Sequence, residues 1–327
     1  MSSQSTLDRN LLYEHLSHLD YPSIKTVCSS NKDLYLTCMR EPLIIKLIYR
    51  KRIEYRTDLI VDNPAVLNKL NEAIKLGDVE VVDELIRRGY DPSIKHNYAI
   101  ELASRMNHLP IVDRLLQDPR VDPRPRNNQA IRMAVGKGHS AIVNRLLQDP
   151  RVDSSVDKND LIATASARGY LAVVDRLLQD PQVNPNIHGE EAIGYASFYG
   201  RLLVVNRLLK DPRVNPSVRN NYPIIIASLR GHLLVVNLLL KDSRVDPSAQ
   251  NNMAIREASL RGHLLVVNRL LQDESVDPRA RNNEAIRMAS ANGHIPVVDR
   301  LLQDPRVRNS LPLADYQKYL QQISTHN

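Results

Sequence analysis

The chain has 327 residues and a formal net charge of +7, with 43% hydrophobic and 25% charged residues, proportions that suit a soluble folded protein and exclude a disordered or fibrous one. The basic excess favours acidic partners but does not by itself choose nucleic acid over protein. Only two cysteines occur, Cys28 and Cys38, too few for a disulfide scaffold or a zinc site. No apolar run approaches the ~20 residues of a membrane helix, and the polar stretch from Met1 to Asn10 lacks the apolar core of a secretory signal. The expectation is an intracellular, cytoplasmic protein without membrane contact, with both cysteines buried as small hydrophobes.

In chain order, residues 1–60 share no repeat with the rest. Leu11, Leu12, Leu16 and Leu19 have helical spacing, Asp20-Tyr21-Pro22 interrupts, and Ile24, Val27 and Cys28 predict a second short helix. Leu34, Leu36 and Cys38 suggest a third, and Leu43, Ile44, Leu47 and Ile48 a fourth ending in Arg50-Lys51-Arg52. The string LLYEHLSHLDYPSIKTVCSSNKDLYLTC resembles an F-box, although Leu7-Asp8 stands where that family opens with Leu-Pro and no Trp follows. The resemblance implies docking to the small adaptor subunit of a cullin-type ubiquitin ligase through Leu11, Leu12, Leu16, Leu19, Ile24 and Val27. The alternative is a helical cap. Asp62-Asn63-Pro64 then signals a helix start.

From residue 61 to 309 one unit recurs. Gly138, Gly169, Gly200, Gly231, Gly262 and Gly293 are spaced by 31 residues, and Asn107 and Gly77 extend the series backward to about eight units. Each unit has two helical stretches. The first carries residues such as Ala254, Ile255, Ala258 and Ser259, the second Leu264, Val266, Val267, Leu270 and Leu271. A left-handed glycine between them closes the first helix, and Asp-Pro, as at Asp118-Pro119, ends the second. Ala103, Ala134, Ala165, Ala196, Ala227, Ala258 and Ala289 mark where neighbouring first helices approach closely. A lone unit has too few core side chains to offset its ordering cost, so units must stack and the ends need covers. Leu313, Tyr316, Leu320 and Ile323 predict a capping helix in residues 310–327.

The repeated A-S-x-x-G-H-L-x-V-V-x-x-L-L followed by V-D-P-S resembles the ankyrin repeat. That resemblance implies an all-α, or nearly all-α, solenoid that recognises other proteins through its concave face. Two departures matter. The family's T-P-L-H opening becomes x-A-I-x, as in Met253-Ala254-Ile255-Arg256, and the connection between units is short. The projecting β-hairpins should therefore be stunted or replaced by turns. The 31-residue period and the D-P-R-V-D-P-S phrase also resemble ankyrin proteins encoded by large DNA viruses of protists, which would place the protein in a host cell.

Candidate chemistry is sparse. His108, His139, His232, His263 and His294 recur one per unit, about 10 Å apart. They cannot converge on one metal and read as structural turn residues. No phosphate-binding glycine loop or nucleophile elbow occurs. Neither an enzyme, a cofactor nor a metal is expected.

The residues preceding the inter-helix glycine are Lys137, Arg168, Arg230 and Arg261, with Tyr199 in one unit. In the ankyrin family this position lies near the concave face. Arg120, Arg151, Arg213, Arg244 and Arg306 form a second column, and Arg126, Lys158, Arg219 and Arg281 mark the next loop. These columns read either as a solvated face or as a groove for an acidic protein segment. Nucleic acid is third, because no ladder of aromatics accompanies the charges. Tyr195, Phe198 and Tyr199 break the pattern and are candidate anchors or local fillers. The expectation is a monomeric, non-catalytic protein-recognition array, with ligase adaptor as the alternative.

Overall fold

The computed structural model describes residues 12–19, 21–29, 38, 44, 47, 64–152, 158–186 and 192–325, and among these there is no strand. The chain divides into two compact units, residues 1–153 and 154–327.

In the first unit, residues 12–17 are helical and α1 spans Tyr21–Ser29. Leu16, Ile24, Cys28, Cys38, Ile44 and Leu47 form one buried cluster, with Leu12, Leu19 and Val27 packed against it. Two of the expected docking residues are thereby corrected. Leu16 and Ile24 are fully buried because their spacing aims them at this cluster, so they hold the module together. Leu11 lies outside the described residues. Cys28 and Cys38 are buried as expected, but they are joined in a disulfide with their Cα atoms 6.0 Å apart, which the sequence reading did not foresee. That bond removes the composition argument for a reducing compartment.

The rest of this unit is a stack of helix pairs: α2 (Pro64–Leu76) with α3 (Val79–Arg87), α4 (Ile94–Arg105) with α5 (Leu109–Leu116), and α6 (Pro125–Lys137) with α7 (Ser140–Leu147). The second unit continues the pattern with α8 (Lys158–Arg168), α9 (Leu171–Leu178), α10 (Ala192–Phe198), α11 (Leu202–Leu209), α12 (Val218–Leu229) and α13 (Leu233–Leu239). It ends with α14 (Ala249–Leu260), α15 (Leu264–Leu271), α16 (Ala280–Ala291), α17 (Ile295–Gln303), the short α18 (Pro305–Arg308) and α19 (Leu313–Ser324). The fold is all-α, a solenoid-type stack of the ankyrin kind.

Within each unit first helices lie against first helices and second against second, the first set more intimately. The cause is side-chain size. Ala103, Ala134, Ala165, Ala196, Ala227, Ala258 and Ala289 are all fully buried, and a methyl group lets two helix axes come close. Second helices bury a repeated quartet such as Val266, Val267, Leu270 and Leu271 on one face.

The turn between the helices requires glycine twice over at some positions. Gly231 has φ of 73°, and a Cβ there would stand 2.6 Å from the ring of His263 in the next repeat. Asn107 takes the same left-handed conformation where glycine is absent.

The short connection between repeats is built from turns. Asp or Asn accepts the N–H two residues on, as Asp246 does from Ser248 at 2.8 Å, an Asx turn around the proline. Three left-handed residues follow, as in Gln250, Asn251 and Asn252 with φ of 54°, 57° and 59°. The last of the three is a buried asparagine whose Oδ1 accepts the N–H of Asp277 from the next turn, 2.7 Å away. Asn97 and Asn221 do the same toward Asp122 and Asp246. These bonds replace the hairpin.

α19 packs on α17, and Ser290 Oγ donates to Gln322 Oε1 at 2.7 Å. Its buried residue is Tyr319, while Leu313 is 71% and Leu320 43% exposed. The expected stripe is thus rotated about one position, because the helix turns its tyrosine rather than its leucines to the core.

Candidate protein-recognition site

The residue columns that look alike in the sequence separate in space by what they bond. Asp118, Asp149, Asp211, Asp242 and Asp304 each follow a second helix, and each is paired with the arginine two residues later. In the Asp211 turn, Oδ1 accepts the Arg213 backbone N–H at 3.0 Å and its Nε–H at 2.9 Å, and Oδ2 accepts from Nη2 at 2.8 Å. The remaining guanidinium protons go to the preceding repeat, to Val183 O at 3.0 Å and Leu178 O at 2.6 Å. Arg151 reaches Val121 and Leu116 in the same way, and Arg306 reaches Val276 and Leu271. The planar five-donor fork of arginine suits this task.

The arginine beside each carboxyl holds Asp118, Asp149, Asp211 and Asp242 below the ordinary carboxylate value. At Asp304 burial pushes upward, but Arg306 outweighs it. This second column is therefore a set of clamps between repeats, and its charge is spent inside the fold.

Three of the recurring histidines are also clamps. Nε2 of His232, His263 and His294 donates to the carbonyls of Phe198, Leu229 and Leu260, each at 3.0 Å. Their expected structural role is what the geometry shows. Arg201 stands where histidine is expected and uses Nε to reach Ala167 O at 3.0 Å.

The first column differs. Arg168, Arg230 and Arg261 in the second unit, and Lys137 in the first, end their helices exposed to solvent. Among the described residues none of the four meets a carboxylate. In the loop column, Arg126 pairs with Glu101 at 3.6 Å and Arg281 with Glu284 at 3.9 Å; the Lys158 side chain lies outside the described residues.

α8, α10 and α12 lie side by side in the second unit, and Tyr195 and Phe198 on α10, Tyr199 just after it and Tyr222 on α12 form an aromatic cluster. Tyr195 and Tyr199 are 39% and 47% exposed, and Phe198 is half-buried. The rings of Phe198 and Tyr199 meet edge to face with centroids 4.7 Å apart. The Arg230 guanidinium lies 4.6 Å from the Phe198 centroid and that of Arg201 5.9 Å from Tyr199, distances at which a cation is held by the ring.

Two cavities share this wall. One, of about 210 Å³, is lined by Gly194, Tyr195, Phe198, Tyr199, Arg219 and Tyr222. The other, of about 390 Å³, is lined by Asp160, Ala163, Thr164, Ala167, Arg168, Tyr195, Tyr199 and Arg201. Among the expected anchors, Arg168, Tyr195, Phe198, Tyr199 and Arg230 come together here.

The sequence reading missed Gly194, Tyr222 and the part played by Arg201. The available signal was Gly194 itself, a glycine at a first-helix position where other repeats carry side chains.

Comparison with known protein families agrees with this geometry. Residues 70–160 match the family model for ankyrin repeats, in three copies, and residues 219–252 match that for the single ankyrin repeat. Ankyrin repeats are thus detected in these two stretches. A search of the curated proteins returns no match.

Proposed function

We propose that this chain is a non-catalytic protein-recognition array acting through its first helices, with Lys137 in the first unit and Arg168, Tyr195, Phe198, Tyr199, Arg230 and Arg261 in the second as contact residues. One observation carries the reading. The arginines of the second column are neutralised by aspartates, whereas Arg168, Arg230 and Arg261 meet no carboxylate among the described residues, and Arg168 and Arg230 lie beside the aromatic cluster. Such a surface suits an acidic protein segment. The test is capture of proteins from cell extract by the full chain and by a variant carrying Arg168→Glu, Arg230→Glu and Arg261→Glu. Loss of the captured set at unchanged melting temperature supports the reading; an unchanged set overturns it.

A ligase-adaptor role is the second reading. Leu12, Leu19 and Val27 lie half-buried at the edge of the N-terminal cluster and offer an apolar docking edge. Residues 1–60 would then deliver a cullin adaptor, and residues 61–309 would hold the target. Co-purification of cullin with the full chain but not with residues 60–327 would support it. Binding of nucleic acid is third, and a steep fall of affinity with salt would mark it.

A further inference from the structure

We propose that the 210 Å³ cavity at Gly194 is a socket for one aromatic or other large apolar side chain of a partner segment that carries carboxylates beside it. This deepens the recognition reading above and rests on it.

The first argument is the glycine. Gly194 is the third residue of α10, and its backbone does not need glycine, since its φ is not in the left-handed region. An added Cβ would meet Tyr222 Cδ1 at 3.5 Å and Cε1 at 3.6 Å, ordinary contact distances. A glycine within a helix is less favourable than alanine. Other repeats place Glu101, Arg132, Ala163, Ile225, Arg256 or Arg287 at the same position. The missing side chain is what leaves the hole.

The second argument is size and lining. The cavity is below the roughly 300–1,000 Å³ of small-molecule sites, and four of its six lining residues are Tyr195, Phe198, Tyr199 and Tyr222. The third is the rim. Arg219 lines the socket, Arg230 packs on Phe198, and Arg168 and Arg201 lie across the shared tyrosine wall. A carboxylate beside the inserted side chain would find cations on either side.

A nucleic-acid base fits less well. Arg230 covers Phe198 and Arg201 covers Tyr199, so each ring already has a stacking partner.

The test uses a displayed library of random short peptides selected on the full chain. Enriched peptides should pair Phe, Tyr, Trp or Leu with a nearby Asp or Glu. Affinity of one such peptide should fall roughly tenfold or more with Gly194→Leu, and comparably with Arg168→Glu plus Arg230→Glu. Gly194→Ala should keep or raise the melting temperature while weakening the peptide, which covers the case that leucine disrupts folding. Enrichment of acidic peptides indifferent to Gly194→Ala and Gly194→Leu would overturn the socket and leave the recognition face standing. An absence of any sequence-dependent enrichment would overturn both. Binding of an oligothymidylate that is lost with Gly194→Leu would reassign the socket to a base.

Discussion

Arg213 bonds to Asp211 and to carbonyls of the preceding repeat, whereas Arg230 lies over the Phe198 ring and meets no carboxylate among the described residues. Both belong to columns that recur along the chain, and both count equally toward the net charge of +7. The difference is the neighbour. An aspartate two residues before Arg213 sits in an Asx turn that presents both oxygens to the guanidinium, while Arg230 ends a helix with no acid in reach among the described residues. Counting charges thus overstates the basic surface, and the aspartate spacing tells which arginines are spent on folding.

Acid should separate the two columns most strongly, because it acts on all the clamps together. The aspartates have folded values below their ordinary 3.8, so their stabilisation is complete above that pH. It is lost as pH falls through the depressed folded values. Denaturant unfolding should therefore show stability dropping below about pH 4, with a smaller drop in a variant carrying Asp149→Asn, Asp211→Asn and Asp242→Asn. An equal drop in both would mean that the clamps do not control acid unfolding.

Arg213→Ala should cost about 2 kcal/mol in chemical denaturation, since Asp211 is left buried without its partner. Arg230→Ala should stay within about 0.5 kcal/mol. The reverse order would break the comparison. Replacing Phe198 and Tyr199 together by alanine should weaken partner capture while lowering stability by only about 1 kcal/mol, read from melting curves beside binding. A loss several times larger would move these rings into the core.

The smallest effect concerns the buried serines. Ser228 Oγ is fully buried without a hydrogen-bond partner among the described residues, like Ser197 and Ser259, and Val135 fills the same position in another repeat. Ser228→Ala should be neutral or stabilising by up to about 1 kcal/mol, and a clear destabilisation would reveal a bond made by that hydroxyl.

Much of the architecture was legible because the repeat states it eight times over. The helix pairs, the glycine turn and the small-residue seam each follow from local rules of capping, periodicity and size. Asn107 taking the glycine conformation was readable from its place in the 31-residue series. The Leu16 and Ile24 roles were not, because the same spacing that makes a helix apolar does not say whether the covering surface is another protein or the module's own core. The Cys28–Cys38 bond was missed for a similar reason, since it depends on a 6.0 Å approach that no local pattern encodes.

The sequence by itself determined the fold class, the register of the repeats and the turn chemistry, since hydrophobic period, left-handed glycines and Asx turns are short-range properties. Only the tertiary structure decided which arginines face solvent and which clamp neighbouring repeats. Only there does the absence of one side chain at Gly194 become a cavity bounded by Tyr222 from the next repeat. Such assignments depend on atoms about one repeat apart in sequence, and their distances are set by how the repeats stack.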